Sequence, residues 1–519
     1  MAKKSLGIEV GSTRIKAVLL NGLEIEAKSD YKWENKYING YWTYDLKKMW
    51  QGIAKVFEDL CDDYKSRFNK DLDYIDQIGI SAMMHGYLAF DKDGNLLAPF
   101  RTWRNTNTDQ ASEELTELFK FNIPHRWSVA HLYQAILNKE EHTKNIAFLT
   151  TLSGYIHWML TGEKVLGVGD ASGMFPINQK GDDYDLSMIE QFNNLIIDKV
   201  TWKLENLLPK VKLAGQNSGF LLDSSKILFD KKGILKNNPQ FCPPEGDAGT
   251  GMVSTNSIRE NTGNVSAGTS IFLMLVLDKA LKNYYREVDM VTTPSGKHTA
   301  MIHCNNFTSD INNWVSLFSE IIKGLNFKVE NKDLFEYLFR SSLNADEKEG
   351  NLISCNFHAG EPILQLQEGR PLLIQQANSV LNVSNFMKAH IFSALATLRI
   401  GTDMLRDNES LNPNYIIGHG GFFKTELVGQ KYMSQALDIP VSVLESAGEG
   451  GAWGIALLAS YLEYTDKYSL EDYLDKIVFG NLTTKPYIPT PQETKEYKDY
   501  LQRYKKMIEV EKSAIKNIV

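Results

Sequence analysis

One short pattern occurs twice, half a chain apart, and it constrains the fold more than anything else in these 519 residues. Residues 6–20 read Leu-Gly-Ile-Glu-Val-Gly-Ser-Thr-Arg-Ile-Lys-Ala-Val-Leu-Leu, two apolar strand-forming runs around a Gly11-Ser12-Thr13 turn. Residues 263–275, Gly-Asn-Val-Ser-Ala-Gly-Thr-Ser-Ile-Phe-Leu-Met-Leu, repeat the pattern around Gly268-Thr269-Ser270. Glycine lets backbone pass close to a ligand, and turned amides form an anion-binding concavity, so each turn suits a phosphate. Taken alone, each equally suits an ordinary hairpin. Glu9, on the first strand, can face the same site and hold a hydrated cation. Together the copies predict a duplicated architecture: two related domains, 1–257 and 258–519, with a ligand gripped in the cleft between them.

The bulk numbers narrow the class. A chain of this length is expected to divide into domains. Its net charge of −8 shows no basic footprint for nucleic acid. No apolar run is long enough to span a membrane, and Met-Ala-Lys-Lys-Ser leads straight into the first strand, so a cytoplasmic protein is expected. The four cysteines are scattered without a Cys-x-x-Cys pair, which argues against a zinc or iron–sulfur site. Apolar spacing predicts a helix over Tyr41–Asp62, a strand over Ile75–Ala82 and a hairpin around Asp91-Lys92-Asp93-Gly94. In the second half it predicts helices near 309–323 and 384–407, a strand at Tyr415–Gly418, a helix from about 424 and a charged surface helix over 493–517.

Six segments carry chemistry. Asp247 lies in Pro244-Glu245-Gly246-Asp247-Ala248-Gly249, where small neighbours admit a substrate and the carboxylate can take a proton from a hydroxyl. From spacing alone an N-cap or turn is the commoner role of such a segment. Met84-His85-Gly86 and Trp103-Arg104-Asn105 together supply an imidazole, an amide, a guanidinium and an indole, a fair lining for a polyol pocket. Gly420-Gly421 with Lys424, and Gly450-Gly451, open helical runs; glycines there suit a flat adenine or ribose, or equally close helix packing. Asp170-Ala-Ser-Gly173 reads either as a site segment or as a plain turn. The P-loop spacing is absent.

In their order, these segments resemble the FGGY family of carbohydrate kinases, with its α/β fold of two related actin/hexokinase-like (ribonuclease H-like) ATPase domains around an interdomain cleft. The resemblance runs from Leu6-Gly-Ile-Glu-Val-Gly-Ser-Thr through Trp42-Thr-Tyr-Asp45, Met84-His-Gly86, Leu160-Thr-Gly-Glu163, Asp170-Ala-Ser-Gly173 and Gly246-Asp247 to Ser266-Ala-Gly-Thr-Ser270, Gly420-Gly421 and Gly450-Gly-Ala-Trp-Gly454. It implies transfer of phosphate from ATP, with Mg2+, to a hydroxyl of a small sugar or polyol, with closure of the two domains to exclude water. It implies Gly11, Ser12, Thr13, Gly268 and Thr269 at the phosphates, Lys16 beside them and Glu9 at the metal. Asp247 would be the general base, and Gly420, Gly421, Gly450 and Gly451 would frame the adenosine. The Met-His-Gly segment most resembles xylulose kinases, which makes Met84 and His85 the implied ketose contacts.

Two positions depart from the family pattern. Glu9 stands where aspartate is usual, and Arg104-Asn105 follows Trp103 where an acidic sugar contact is expected. The Met-His-Gly likeness makes a ketopentose such as xylulose the expected substrate, and these departures keep an erythritol- or glycerol-type polyol as the alternative. A non-catalytic sugar or ATP sensor on the same fold is a third reading, favoured by Glu9 and opposed by the intact Gly246-Asp247. A homodimer is left open.

Overall fold

In the computed structural model, which describes residues 2–444, 450–480 and 485–518, both hairpins form. Strands Lys4–Val10 and Arg14–Asn21 pair antiparallel with Val10 opposite Ile15 and Glu9 opposite Lys16. Strands Thr262–Ala267 and Ile271–Val276 do the same, with Ala267 opposite Ile271.

Each hairpin nucleates a sheet of the same kind. In the first, Glu24–Lys32 extends the antiparallel side, and Gln77–Ala82 lies parallel on the other side of Lys4–Val10. Gln240–Phe241 and Glu245–Gly246 then pair in parallel with Gln77–Ala82. In the second, Tyr415–His419 lies parallel to Thr262–Ala267 and Val441–Val443 lies beyond it. The architecture is thus α/β and duplicated.

Two units separate by internal contact, and they are interleaved in sequence. One comprises Met1–Glu260, Val276–Thr299 and Ser446–Leu482; the other comprises Asn261–Leu275, Ala300–Glu445 and Thr483–Val519. In the first, helix Leu46–Phe68 begins at Asp45, whose carboxylate accepts the Lys47 and Lys48 N–H groups, and ends at Asn69 in the left-handed region. Its buried face, Met49, Ile53, Val56, Phe57 and Leu60, covers Leu6, Ile8 and Phe241 of the sheet core. Each such side chain contributes roughly 1.5–3 kcal/mol by leaving water. Helix Gly450–Tyr461 lies against the first strand: a Cβ on Gly7 would stand 2.1 Å from the Ala452 carbonyl oxygen.

Several expected elements differ. Tyr41–Thr43 is a short strand preceding the helix expected from Tyr41. The hairpin around Asp91 does form, with Phe90 bridged to Leu96, Tyr87 to Arg101 and the Asp91 carboxylate accepting the Asp93 and Asn95 N–H groups, and Leu88–Phe90 also pairs with Phe148–Thr150. No helix starts at 424: Gly421–Lys424 is a single 3-10 turn, Leu427 has φ 66°, and the helix is Val428–Leu437. The last helix, Pro491–Asn517, is the expected charged surface helix, with Lys495, Lys498, Lys505, Lys506 and Lys512 exposed, but its inner face is deeply buried. Tyr497, Tyr500 and Tyr504 are fully buried, and the Tyr497 and Tyr500 hydroxyls donate to the Phe392 and Ala389 carbonyls of helix Val383–Glu409. A tyrosine stripe three and four residues apart buries as well as leucine once its hydroxyls find acceptors. Among the described residues no helix is long and apolar enough to cross a membrane.

Candidate active site

Pairing of Glu245–Gly246 with Ser81–Ala82 brings Asp247, the first residue of helix Asp247–Ser254, level with the end of strand Gln77–Ala82. The chain leaving that strand donates the Met84 N–H to Asp247 Oδ1 at 3.1 Å. Gly246 makes this approach possible, since a Cβ there would lie 2.9 Å from Met84 Cγ. Burial pushes the Asp247 carboxyl up to about 6, partly offset by the Met84 N–H. A carboxyl in that range is ionised at neutral pH yet basic enough to take a proton.

His85 follows in the left-handed region at φ 69°, an uncommon conformation for a non-glycine residue, and Gly86 continues the turn at φ 96°. The ring is buried with Nδ1 3.3 Å from the Gly173 carbonyl oxygen. A carbonyl only accepts, so Nδ1 carries the hydrogen. Burial, with Arg126 adding to it, holds the ring pKa well below the usual imidazole range. His85 is therefore a neutral imidazole whose Nε2 is an acceptor suited to a sugar hydroxyl. Of the sequence candidates, Met84, His85 and Asp247 come together.

The two turns share a construction. The Gly11 and Ser12 carbonyls accept from Trp33 Nε1 at 2.7 Å and the Tyr44 hydroxyl at 2.6 Å, and the two rings stack on each other. In the other unit, Gly268 and Thr269 carbonyls accept from the Thr308 hydroxyl at 2.7 Å and the Phe307 N–H at 3.2 Å. Tying back the carbonyl oxygens leaves each turn weighted toward its N–H groups, and those of Ser12 and Thr13 have no hydrogen-bond partner among the described residues. That fits an anion such as a phosphate of ATP.

Glu361 stiffens the second turn at one remove. Its Oε2 accepts from the Asn306 backbone and side chain, each at 3.2 Å, and Asn306 precedes Phe307 and Thr308. Burial pushes this carboxyl up to about 7, so the folded state holds a proton that the unfolded chain releases from about pH 4.5 upward. Stability from this group is therefore lost as pH rises from about 4.5 through about 7. Glu361→Gln should match the parent in thermal midpoint at pH 5 and exceed it at pH 8, by an amount on the order of 2 kcal/mol. A pH-independent difference would sink the assignment.

Glu9 lies opposite Lys16, and its carboxylate accepts the Ala452 N–H in the first turn of helix Gly450–Tyr461. Gly451 makes room for it: a Cβ there would lie 2.6 Å from Glu9 Oε1 and 2.9 Å from the Thr250 hydroxyl oxygen. Burial pushes Glu9 up to about 7; Lys16 and the Ala452 N–H oppose this, and the charge of Asp247 adds to it. Among the described residues no three His, Cys, Asp or Glu side chains gather as a metal cage. A single carboxylate beside an anion-suited turn fits Mg2+, which commonly takes one or two carboxylates with water and phosphate oxygens.

The remaining candidates spread out. Asn105 is spent on backbone, with Oδ1 accepting the Trp42 N–H at 2.7 Å and Nδ2 donating to the Trp42 and Thr102 carbonyls. Arg104 lies with its guanidinium 4.3 Å over the Trp42 ring, and Trp103 is exposed. In the second unit Gly420, at φ 105°, approaches Ala267 too closely for a side chain, and Gly421 and Lys424 are exposed on the 3-10 turn. Gly448 and Glu449, before Gly450, lie outside the described residues. Two residues passed over in the site reading stand beside the base: Glu245, and Asp170 from the Asp-Ala-Ser-Gly segment.

The N-terminal domain of the FGGY family of carbohydrate kinases matches residues 5–235, and the family's C-terminal domain matches residues 263–463. Matches in both halves define the class, an α/β enzyme that phosphorylates an alcohol group of a carbohydrate with ATP as donor. The chain belongs to the FGGY family of carbohydrate kinases. A xylulose kinase of Haemophilus influenzae is 24% identical over 449 residues, covering 82% of this chain and 83% of its own. The ligand-bound xylulose kinase from Lactobacillus acidophilus superposes with a TM-score of 0.79 at 17% identity, covering 98% of both chains. The glycerol kinase of Plasmodium falciparum with ADP gives 0.76 at 15% identity, again over 98% of both. At such identities the solved structures establish the fold alone.

Proposed function

We propose that this kinase phosphorylates a small ketose, a ketopentose such as xylulose, with Asp247 as the general base. The observation that carries the reading is the Asp247 carboxylate held 3.1 Å from the Met84 N–H, next to the neutral imidazole of His85. In this reading His85 Nε2 accepts a hydroxyl hydrogen of the sugar, and Met84 packs against its carbon skeleton. Asp247 takes the proton of the attacking hydroxyl as its oxygen bonds to the γ-phosphorus and the bond from that phosphorus to the bridging oxygen breaks, releasing ADP. The Gly11–Thr13 and Gly268–Thr269 turns hold phosphate oxygens through backbone amides. Mg2+, with Glu9 near it through water, would neutralise phosphate charge when bound. Positioning and charge neutralisation carry most of phosphoryl transfer, which asks little covalent chemistry of the protein.

The substrate is tested by ADP release with xylulose, ribulose, erythritol and glycerol at fixed ATP and Mg2+. The reading expects the highest kcat/KM for a ketopentose. A preference for erythritol or glycerol overturns the ketose assignment in favour of the polyol reading, which has support in the absence of an acidic residue after Trp103. Sugar binding without ADP release from any of the four would instead make the chain a sensor.

A further inference from the structure

Asp170 is fully buried beside Asp247 and is fixed from both sides. Its Oδ2 accepts from the hydroxyls of Thr151, at 2.7 Å, and Ser153. Its own N–H donates to Glu245 Oε2 at 2.9 Å, and the Gly169 N–H donates to Glu245 Oε1 at 3.3 Å. Glu245 fits only because Gly167 and Gly169 lack side chains: a Cβ would stand 2.2 Å from its Oε1 at the first and 2.4 Å from its Oε2 at the second. These constraints aim Asp170 Oδ1, and Oδ1 has no hydrogen-bond partner among the described residues. It points at Gly246, where a Cβ would come within 3.2 Å of it, and Gly246 is bonded directly to the base. A buried carboxylate oxygen left without a donor costs about 1–3 kcal/mol, and such orphans call for a reason.

We propose that Asp170 is a positioning residue that sets the base strength of Asp247 across the bare Gly246, without itself touching the sugar. The proposal rests on the reading of Asp247 as base. Two carboxyls separated by a glycine in a dry site titrate as a pair, so ionising either makes the other more basic. Burial raises Asp170 to about 7, its two hydroxyl donors oppose this, and the charge of Asp247 adds to it. Facing Asp170 are Glu245, held well above the usual carboxylate range by burial, Asp247 itself and the Tyr184 phenol; facing Asp247 are Glu9 and, across its turn, His85. Asp247 therefore ionises first, near pH 6, and as Asp170 follows near pH 7 it adds negative charge that makes Asp247 a better proton acceptor.

Asp170→Asn preserves shape and an acceptor for Thr151 and Ser153 while removing the charge. The expected result is KM values for sugar and ATP near wild type, with kcat at pH 8 lowered roughly three- to tenfold and the rise in kcat near pH 7 lost, while the acidic limb near pH 6 stays in place. A profile that superimposes on wild type after scaling indicates a purely structural role and overturns the proposal. Should that variant fail to fold, Ser153→Ala removes one donor to Asp170 and leaves the protonated form favoured. It should move the rise near pH 7 to higher pH, and an unmoved rise there is equally fatal. Asp247→Asn separates the two readings. Wild-type turnover in that variant sinks the base itself, whereas its loss together with an unmoved Asp170→Asn profile sinks this proposal alone.

Discussion

Asp247→Asn is expected to lose turnover by roughly a hundred- to ten-thousandfold while still binding ATP and sugar, because a positioned general base contributes roughly 10²–10⁴ in rate. The argument for intact binding is structural. Asparagine keeps an oxygen to accept the Met84 N–H, so the turn that carries His85 stays where it is. It also removes a charge whose burial the fold opposes, so the variant should fold at least as well as the parent. The wild-type profile should fall on its acidic side as the carboxyl near pH 6 takes up a proton, and residual activity in the variant should lack that limb. Coupled ADP release measures the turnover, and calorimetric titration measures ATP and sugar binding. Unchanged turnover would remove Asp247 as base.

What was readable in the chain follows from where each signal is stored. Both hairpins are local: a glycine turn between apolar runs needs nothing distant to define it, and the register 9–16 and 266–272 follows from turn length alone. Met84, His85 and Asp247 were readable as motifs, although their convergence depends on the parallel pairing of residues 245–246 with 81–82. Asp170 and Glu245 were not readable. An Asp-Ala-Ser-Gly segment looks like a turn until Glu245, from a distant strand, caps it and leaves one carboxylate oxygen unpartnered. Glu9 was legible as a departure but not in its consequence, since the N–H it accepts belongs to Ala452, in a helix from the far end of the chain. Asn105 fits a sugar pocket by residue type, yet its amide is committed to the Trp42 backbone. The final helix is legible as a charged surface helix, but its buried tyrosine face is not, because the Phe392 and Ala389 carbonyls that take the hydroxyls lie far off in sequence.

Gly454→Ala should be among the most damaging methyl additions near the candidate site. A Cβ at Gly454 would lie 2.1 Å from the Thr250 carbonyl oxygen and 2.8 Å from its carbon, both backbone atoms that cannot rotate aside. Helix Gly450–Tyr461 is held on its other side by the first strand, where Gly7 meets the Ala452 carbonyl, so it cannot retreat without repacking that contact. Overpacking of this kind costs about 1–3 kcal/mol where side chains can yield, and more where backbone must move. Because the same helix presents the Ala452 N–H to Glu9, the displacement should lower kcat as well as stability. Gly251→Ala, in the facing helix Asp247–Ser254, is the matched control. A Cβ there meets nothing within 4 Å, and exchanging glycine for alanine in a helix stabilises by roughly 0.5–1 kcal/mol. The two single-methyl variants should therefore move the thermal midpoint in opposite directions. Equal or like-signed shifts would mean that helix Gly450–Tyr461 does not rest on Thr250, and the support it gives Glu9 would fall with that contact.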